Sequence, residues 1–218
     1  MIKNKIIKPW TINFMAFFVL FSLSITTLES QNIIEKTIQS DDISSISING
    51  NDIFNISVTT SATDEIKITS TLDGEYQNDF QIVLKEEKST LNLSLELLSL
   101  EEIPDDKRNA HKVIAATLQL KIPEQLKLHI ISDIASVDLN GDFNSLYIEL
   151  WRGKCNVIGN ANSSTINTID GDINVMTKNA TIEANSNHGE INIDDFAYSE
   201  EFWKLKSING AITVVKLN

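Results

Sequence analysis

The chain has 218 residues, with 30 Asp and Glu against 18 Lys and Arg, a formal charge of −12, 8 glycines and one cysteine. That length allows one domain, or one domain behind a detachable leader, and suffices to bury a real core. The acidic balance disfavours nucleic acid as a partner, and a lone cysteine excludes an internal disulfide and any cysteine-based metal cluster.

Lys3, Lys5 and Lys8 precede residues 10–28, a run of nineteen without a charge. This is the layout of a secretory signal, which predicts a signal peptide over residues 1–30 with the cut after Ser30. An uncleaved anchor is the rival reading, because nineteen residues nearly reach the ~20 needed to span a bilayer. The short apolar core and the Ser and Thr at its end favour cleavage, leaving no membrane span and an exported chain with 29 acids against 15 bases.

Residues 31–125 read as an irregular β-meander. Apolar residues recur at every second position, as in Ile46 and Ile48, Ile56 and Val58, Ile66 and Ile68, Ile82 and Leu84, and Leu91, Leu93 and Leu95. That is the strand period with one face buried. Turn chemistry separates the runs at Asn49-Gly50, Thr63-Asp64 and Asp73-Gly74. Residues 97–111 break the alternation as a long charged loop, and Pro123 sits between two alternating runs, where it permits a bend but not a central ladder position.

Residues 126–218 carry a repeat. Gly141, Gly153, Gly171, Gly189 and Gly210 each open a phrase of glycine, a mostly charged residue, then apolar, polar, apolar, at intervals of 12, 18, 18 and 21 residues. A recurring period of this kind marks stacked β coils. Aligning the glycines places Phe143, Cys155, Ile173, Ile191 and Ile212 in one inward column, with Ile191 over Ile173 and Ile173 over Cys155. Cys155 then reads as a small buried hydrophobe. Val137, Ile148, Ile166 and Leu205, four or five residues before a glycine, and Leu139, Trp151, Ile169 and Ile208, two before it, are also expected to point inward.

The 21-residue interval holds an irregular insert over residues 194–203 with four aromatics, Phe196, Tyr198, Phe202 and Trp203, and four acids. A cap over the last coil and a ligand platform both fit it, and the need of every open stack for a cap favours the first. The site chemistry of enzymes is missing. His111, His129 and His188 are scattered, Asp170-Gly171-Asp172 and Asp194-Asp195 lack the spacing of a calcium loop, and neither a nucleophile elbow nor a phosphate loop occurs. The expectation is a non-catalytic protein with no metal and no cofactor.

The leader, the alternating first half, the run Leu118-Gln119-Leu120-Lys121-Ile122-Pro123-Glu124-Gln125-Leu126-Lys127-Leu128 and the repeated Gly-Asp-Ile phrases resemble the bacterial "putative adhesin" family of β-strand repeats, the toastrack type related to the head-GIN adhesins. Lys154 and Ala211 depart from the family's acid after the glycine, and the first interval is short. The resemblance implies an all-β, β-solenoid or β-helix-like stack preceded by a meander, in a protein of the periplasm or cell surface. It also implies adhesin-like binding to a cell-surface glycan or an envelope protein. A periplasmic protein-interaction or sensing module is the alternative, and a glycan-cleaving enzyme ranks below both.

Overall fold

The computed structural model describes residues 32–73, 80–98 and 115–217. The signal peptide expected at residues 1–30, and most of the charged loop expected at 97–111, lie outside them. Among the described residues the protein is all-β, with fifteen strands and no helix. The first half supplies β1 (Asn32–Gln39), β2 (Ser45–Asn49), β3 (Ile53–Ser61), β4 (Glu65–Asp73), β5 (Phe80–Glu87), β6 (Thr90–Leu97) and β7 (Ala115–Pro123). The second supplies β8 (Lys127–Ser132), β9 (Ser136–Arg152), β10 (Cys155–Asp170), β11 (Ile173–Thr177), β12 (Thr181–Ser186), β13 (Ile191–Ile193), β14 (Phe202–Ser207) and β15 (Ile212–Lys216).

The strands form two rows that share one hydrophobic cluster. In the first row the order is β1-β4-β7-β3-β9-β10-β11-β15-β13. In the second it is β5-β6-β2-β8-β9-β10-β14-β12. The long strands β9 and β10 serve both rows, the first half of each pairing in one and the second half in the other. Gly141 and Gly159, with φ of 124° and 142°, mark the corner where they cross. Pairing is parallel from β7 to β13 and from β6 to β12, and antiparallel only at the outer end, where β1, β4 and β5 join.

The alternation read from the sequence sets which side chains enter. In β7, Ala116, Leu118, Leu120 and Ile122 are buried while their neighbours face out, and in β2 Ile46 and Ile48 do the same. The first half, however, does not pair as a self-contained meander. β2 lies between β6 and β8, with Ser45 opposite both Thr90 and Lys127, and β3 lies between β7 and β9. Turn signals report only that a strand has ended, and these partners are more than forty residues apart in sequence.

The inward column differs from the aligned glycines in two places. Cys155 pairs with Val137, not Phe143, and with Ile173 on its other side; Ile173 pairs with Ile212, and Ile212 with Ile191. Phe143 is buried, but it stands opposite Ala161 in a separate column, because the true partner of Gly141 is Gly159. Every step in register from β9 to β10 to β11 is 18 residues, so the 12-residue interval belongs to no coil.

The second difference is the order of the last coils. The chain runs from β11 to β12 and β13, which leave one place vacant in each row, and then returns through residues 194–201 to fill both. β14 lies between β10 and β12, and β15 between β11 and β13. The coil that is last in sequence is therefore next to last in space. Ile191 is 41% exposed because β13 forms the end of its row.

Glycines are required where successive turns touch. A Cβ on Gly171 would lie 1.8 Å from the Gly153 carbonyl oxygen, on Gly210 2.0 Å from that of Gly171, and on Gly189 2.0 Å from that of Gly210. A hydroxyl three residues earlier closes each of these last three turns. Thr168 Oγ1 donates to the Gly171 carbonyl at 2.6 Å, while Gly210 N donates to Ser207 Oγ at 2.8 Å and Gly189 N to Ser186 Oγ at 2.9 Å.

Candidate functional site

Side chains that leave the core on the second row stand in straight lines across the strands, one coil apart at ~4.8 Å. One line is Ile131, Glu149, Asn167, Lys206 and Asn185. The next begins at Asp133, whose carbonyl accepts from Arg152 N at 3.1 Å, and continues through Trp151, Ile169 and Ile208, where Ile208 N donates to the Thr168 carbonyl at 3.2 Å. These two lines form the floor of an open trough of about 960 Å³.

Trp151 is the largest exposed group in it, 60% accessible, with Ile169 and Ile208 exposed beside it. The sequence reading placed all three inward, two residues before a glycine. Strand parity explains why they face out: Ile148, Ile166 and Leu205, five before a glycine, are buried, and so are Leu150, Thr168 and Ser207, three before it. A position two before the glycine has the opposite parity and must leave the core.

The polar part of the trough is largely neutral. Asn167 and Asn185 present amides, which both donate and accept. Glu183 is paired with Lys204 at 3.4 Å, leaving Asp133 and Glu149 against Lys206 among the lining charges. Tyr147 donates its hydroxyl to Glu149 Oε1 at 2.5 Å, and that bond holds the phenol above its ordinary pKa. The Tyr147 ring meets His129 edge to face, 4.8 Å between centroids. Asp133 Oδ1 is buried and has no hydrogen-bond partner. A buried acceptor in that condition is costly, so it marks a place where a donor is wanted.

The aromatic insert divides. Trp203 lies in the core, 0% accessible, with Nε1 donating to the Ala161 carbonyl at 3.1 Å. Phe196 is partly buried against the same cluster, Phe202 is partly exposed, and Tyr198 is 89% exposed. The segment is tied down at both ends: Asp194 N donates to the Val214 carbonyl at 3.0 Å, and Thr181 Oγ1 to that of Ser199 at 2.7 Å. These four side chains therefore do not converge on one surface. Cys155 is fully buried, and loss of solvation pushes its thiol up to about 12. No group of histidine, cysteine and acid side chains with metal-site geometry occurs among the described residues.

No protein-family model matches the chain, and no curated protein matches it. Its fold does have solved counterparts. A "putative cell adhesion protein" from Clostridium sporogenes superposes with a TM-score of 0.59 at 14% identity, covering 86% of this chain and 100% of that one. A "putative adhesin" from Bacteroides fragilis aligns at a TM-score of 0.37 and 13% identity, over 86% and 98% of the two chains. Another from Parabacteroides distasonis gives 0.31 and 10%, over 84% and 97%. The first of these shows a shared fold, and at that level the resemblance read from the repeats is borne out; the other two lie too low to carry an argument.

Proposed function

We propose that this protein is exported and acts in an adhesin-like way at the bacterial envelope or cell surface, holding a glycan or a surface protein without transforming it. The observation that carries the reading is the trough over β8, β9, β10, β14 and β12, where Trp151 stands out of a floor of paired strands. A half-exposed tryptophan in a concave polar surface is the composition of a recognition site. The shared fold with a protein described as a cell adhesion protein agrees with it. The leader-like residues 1–30 supply the route out of the cytoplasm.

The test joins location to binding. Fractionation with N-terminal sequencing is expected to find the chain outside the cytoplasm, beginning at Gln31. Purified protein is expected to be retained by whole bacterial or host cells, and Trp151→Ala to lose retention without a change in melting temperature. Intact Met1 recovered only from the cytoplasm, or retention indifferent to Trp151→Ala, refutes the reading.

The protein-interaction alternative has one feature of its own. β13 pairs on one side only among the described residues and leaves Ile191 and Ile193 each 41% exposed at the end of the stack. An open strand of that kind accepts a partner's strand. Capture of an envelope protein that Ile193→Lys abolishes and Trp151→Ala does not would favour that module.

A further inference from the structure

We infer that the trough is a subsite for an uncharged saccharide chain, with Trp151 as the stacking platform and Asp133, Asn167 and Asn185 as the hydroxyl partners. This rests on the binding reading above and adds the class of ligand and the residues that choose it.

The paired floor argues against an extended peptide. β8, β9, β10 and β14 each have a strand on both sides, and only β12, at the end of the row, keeps an open edge, so over most of the floor recognition falls to side chains. The apolar part is Trp151, Ile169 and Ile208 with Ile131 in the adjacent line, far less than a protein interface of ~1,200–2,000 Å² requires. Charge argues against a polyanion. The trough sets Asp133 and Glu149 against Lys206, on a chain of net charge −12, so uronates and phosphate polymers are repelled.

What remains is a ligand with an apolar face and many neutral hydroxyls. The ring of Trp151 suits the C–H face of a pyranose, as aromatic surfaces with a polar surround do. Amides at Asn167 and Asn185, in one line on either side of Lys206, both donate and accept, as hydroxyls do. Asp133 lines the same trough, and its carboxylate is an acceptor for a hydroxyl there.

The experiment is competition for cell retention of the full chain. The competitors are hexasaccharides of β-linked glucose, xylose, mannose and N-acetylglucosamine, with hexagalacturonate as the anionic counterpart; a second arm oxidises the cell glycans with periodate first. The expected result is that periodate removes retention, that at least one uncharged hexamer competes, and that hexagalacturonate does not. Trp151→Ala should weaken the competing hexamer roughly ten-fold and Asp133→Ala several-fold, both with unchanged melting. Trp151-dependent retention that survives periodate and that no uncharged hexamer competes overturns the saccharide assignment in favour of a protein ligand and leaves the adhesion reading standing. Preferential competition by hexagalacturonate also overturns it, and no retention on any cell overturns both.

Discussion

Residues 31–218 hold two tryptophans, one buried and one exposed, so comparing their truncations separates the core from the proposed site. Trp203 is fully buried and its Nε1 donates to the Ala161 carbonyl at 3.1 Å, across a step between β14 and β10. Truncating a buried aromatic to alanine costs about 3–5 kcal/mol, and the lost hydrogen bond adds about 1. The sum, about 4–6 kcal/mol, is a large share of the ~5–15 kcal/mol that holds an ordinary domain together. Trp151 is 60% exposed, and its removal is expected to change stability by ~0.5 kcal/mol or less.

Equilibrium unfolding in urea, followed by far-ultraviolet circular dichroism, reads both. With a slope of ~2 kcal/mol per molar, Trp203→Ala should lower the midpoint by roughly 2–3 M, to the point of leaving little folded protein, while Trp151→Ala leaves it in place. Trp203→Phe keeps most of the ring volume and loses the hydrogen bond, so it should fall between and stay measurable if the alanine variant does not fold. A Trp203→Ala protein within about 1 kcal/mol of the parent at the same slope would refute the reasoning, as would a Trp151→Ala that costs more.

Gly171→Ala places a Cβ 1.8 Å from the Gly153 carbonyl oxygen, an overlap with backbone that is expected to cost about 3 kcal/mol or more and to lower Tm by roughly 6–12 °C in a thermal melt. Cys155, its thiol raised to about 12, should not react with a disulfide reagent at pH 8 until the protein is unfolded. Because the folded state holds that proton to higher pH than the unfolded one, the contribution is complete below the unfolded thiol's ~8.5 and is lost as pH climbs towards 12; unfolding free energies at pH 8 and pH 10.5 should show the fall. Removing residues 202–218 deletes β14 and β15, the only ladder partners that β12 and β13 have among the described residues, and amide exchange over 181–193 should then become fast. Persistent protection there would contradict the observed order of coils.

What the sequence carried follows from what is local. Alternation is a two-residue property, so it located the buried faces of β2, β7 and β8 without knowledge of their partners. The 18-residue step was visible at Gly153 and Gly171, whose backbones touch one coil apart. It failed at Gly141, whose partner Gly159 heads Gly159-Asn160-Ala161 and lacks the phrase. It failed again at Gly210, because no short-range pattern records that a later coil enters between two earlier ones. Trp151 departs from the inward expectation for a third reason: recurrence before a glycine does not itself mean burial, since positions five and two before it cannot face the same way.

Vertical order also bears on charge, and through it on the ligand. In a parallel in-register stack every residue meets its counterpart one coil away at ~4.8 Å, so a carboxylate repeated in one line would face its own charge. The chain avoids this by starting a line with an acid and continuing it with amides. Asn156 Nδ2 donates to Asp138 Oδ1 at 2.8 Å, Asn174 Nδ2 to Asn156 Oδ1 at 2.9 Å, and Asn160 Nδ2 to Asp142 Oδ1 at 2.7 Å. Each acid is thereby held by a donor and each amide is spent on its neighbour. The line through Glu149, Asn167, Lys206 and Asn185 on the second row begins the same way, but Glu149 takes its donor from Tyr147 on its own strand. Its amides are then not committed to the acid as they are in the first row. A protein this acidic thus presents in the trough, beside Glu149 and Lys206, amides free to donate and accept, the chemistry that the proposed saccharide subsite requires.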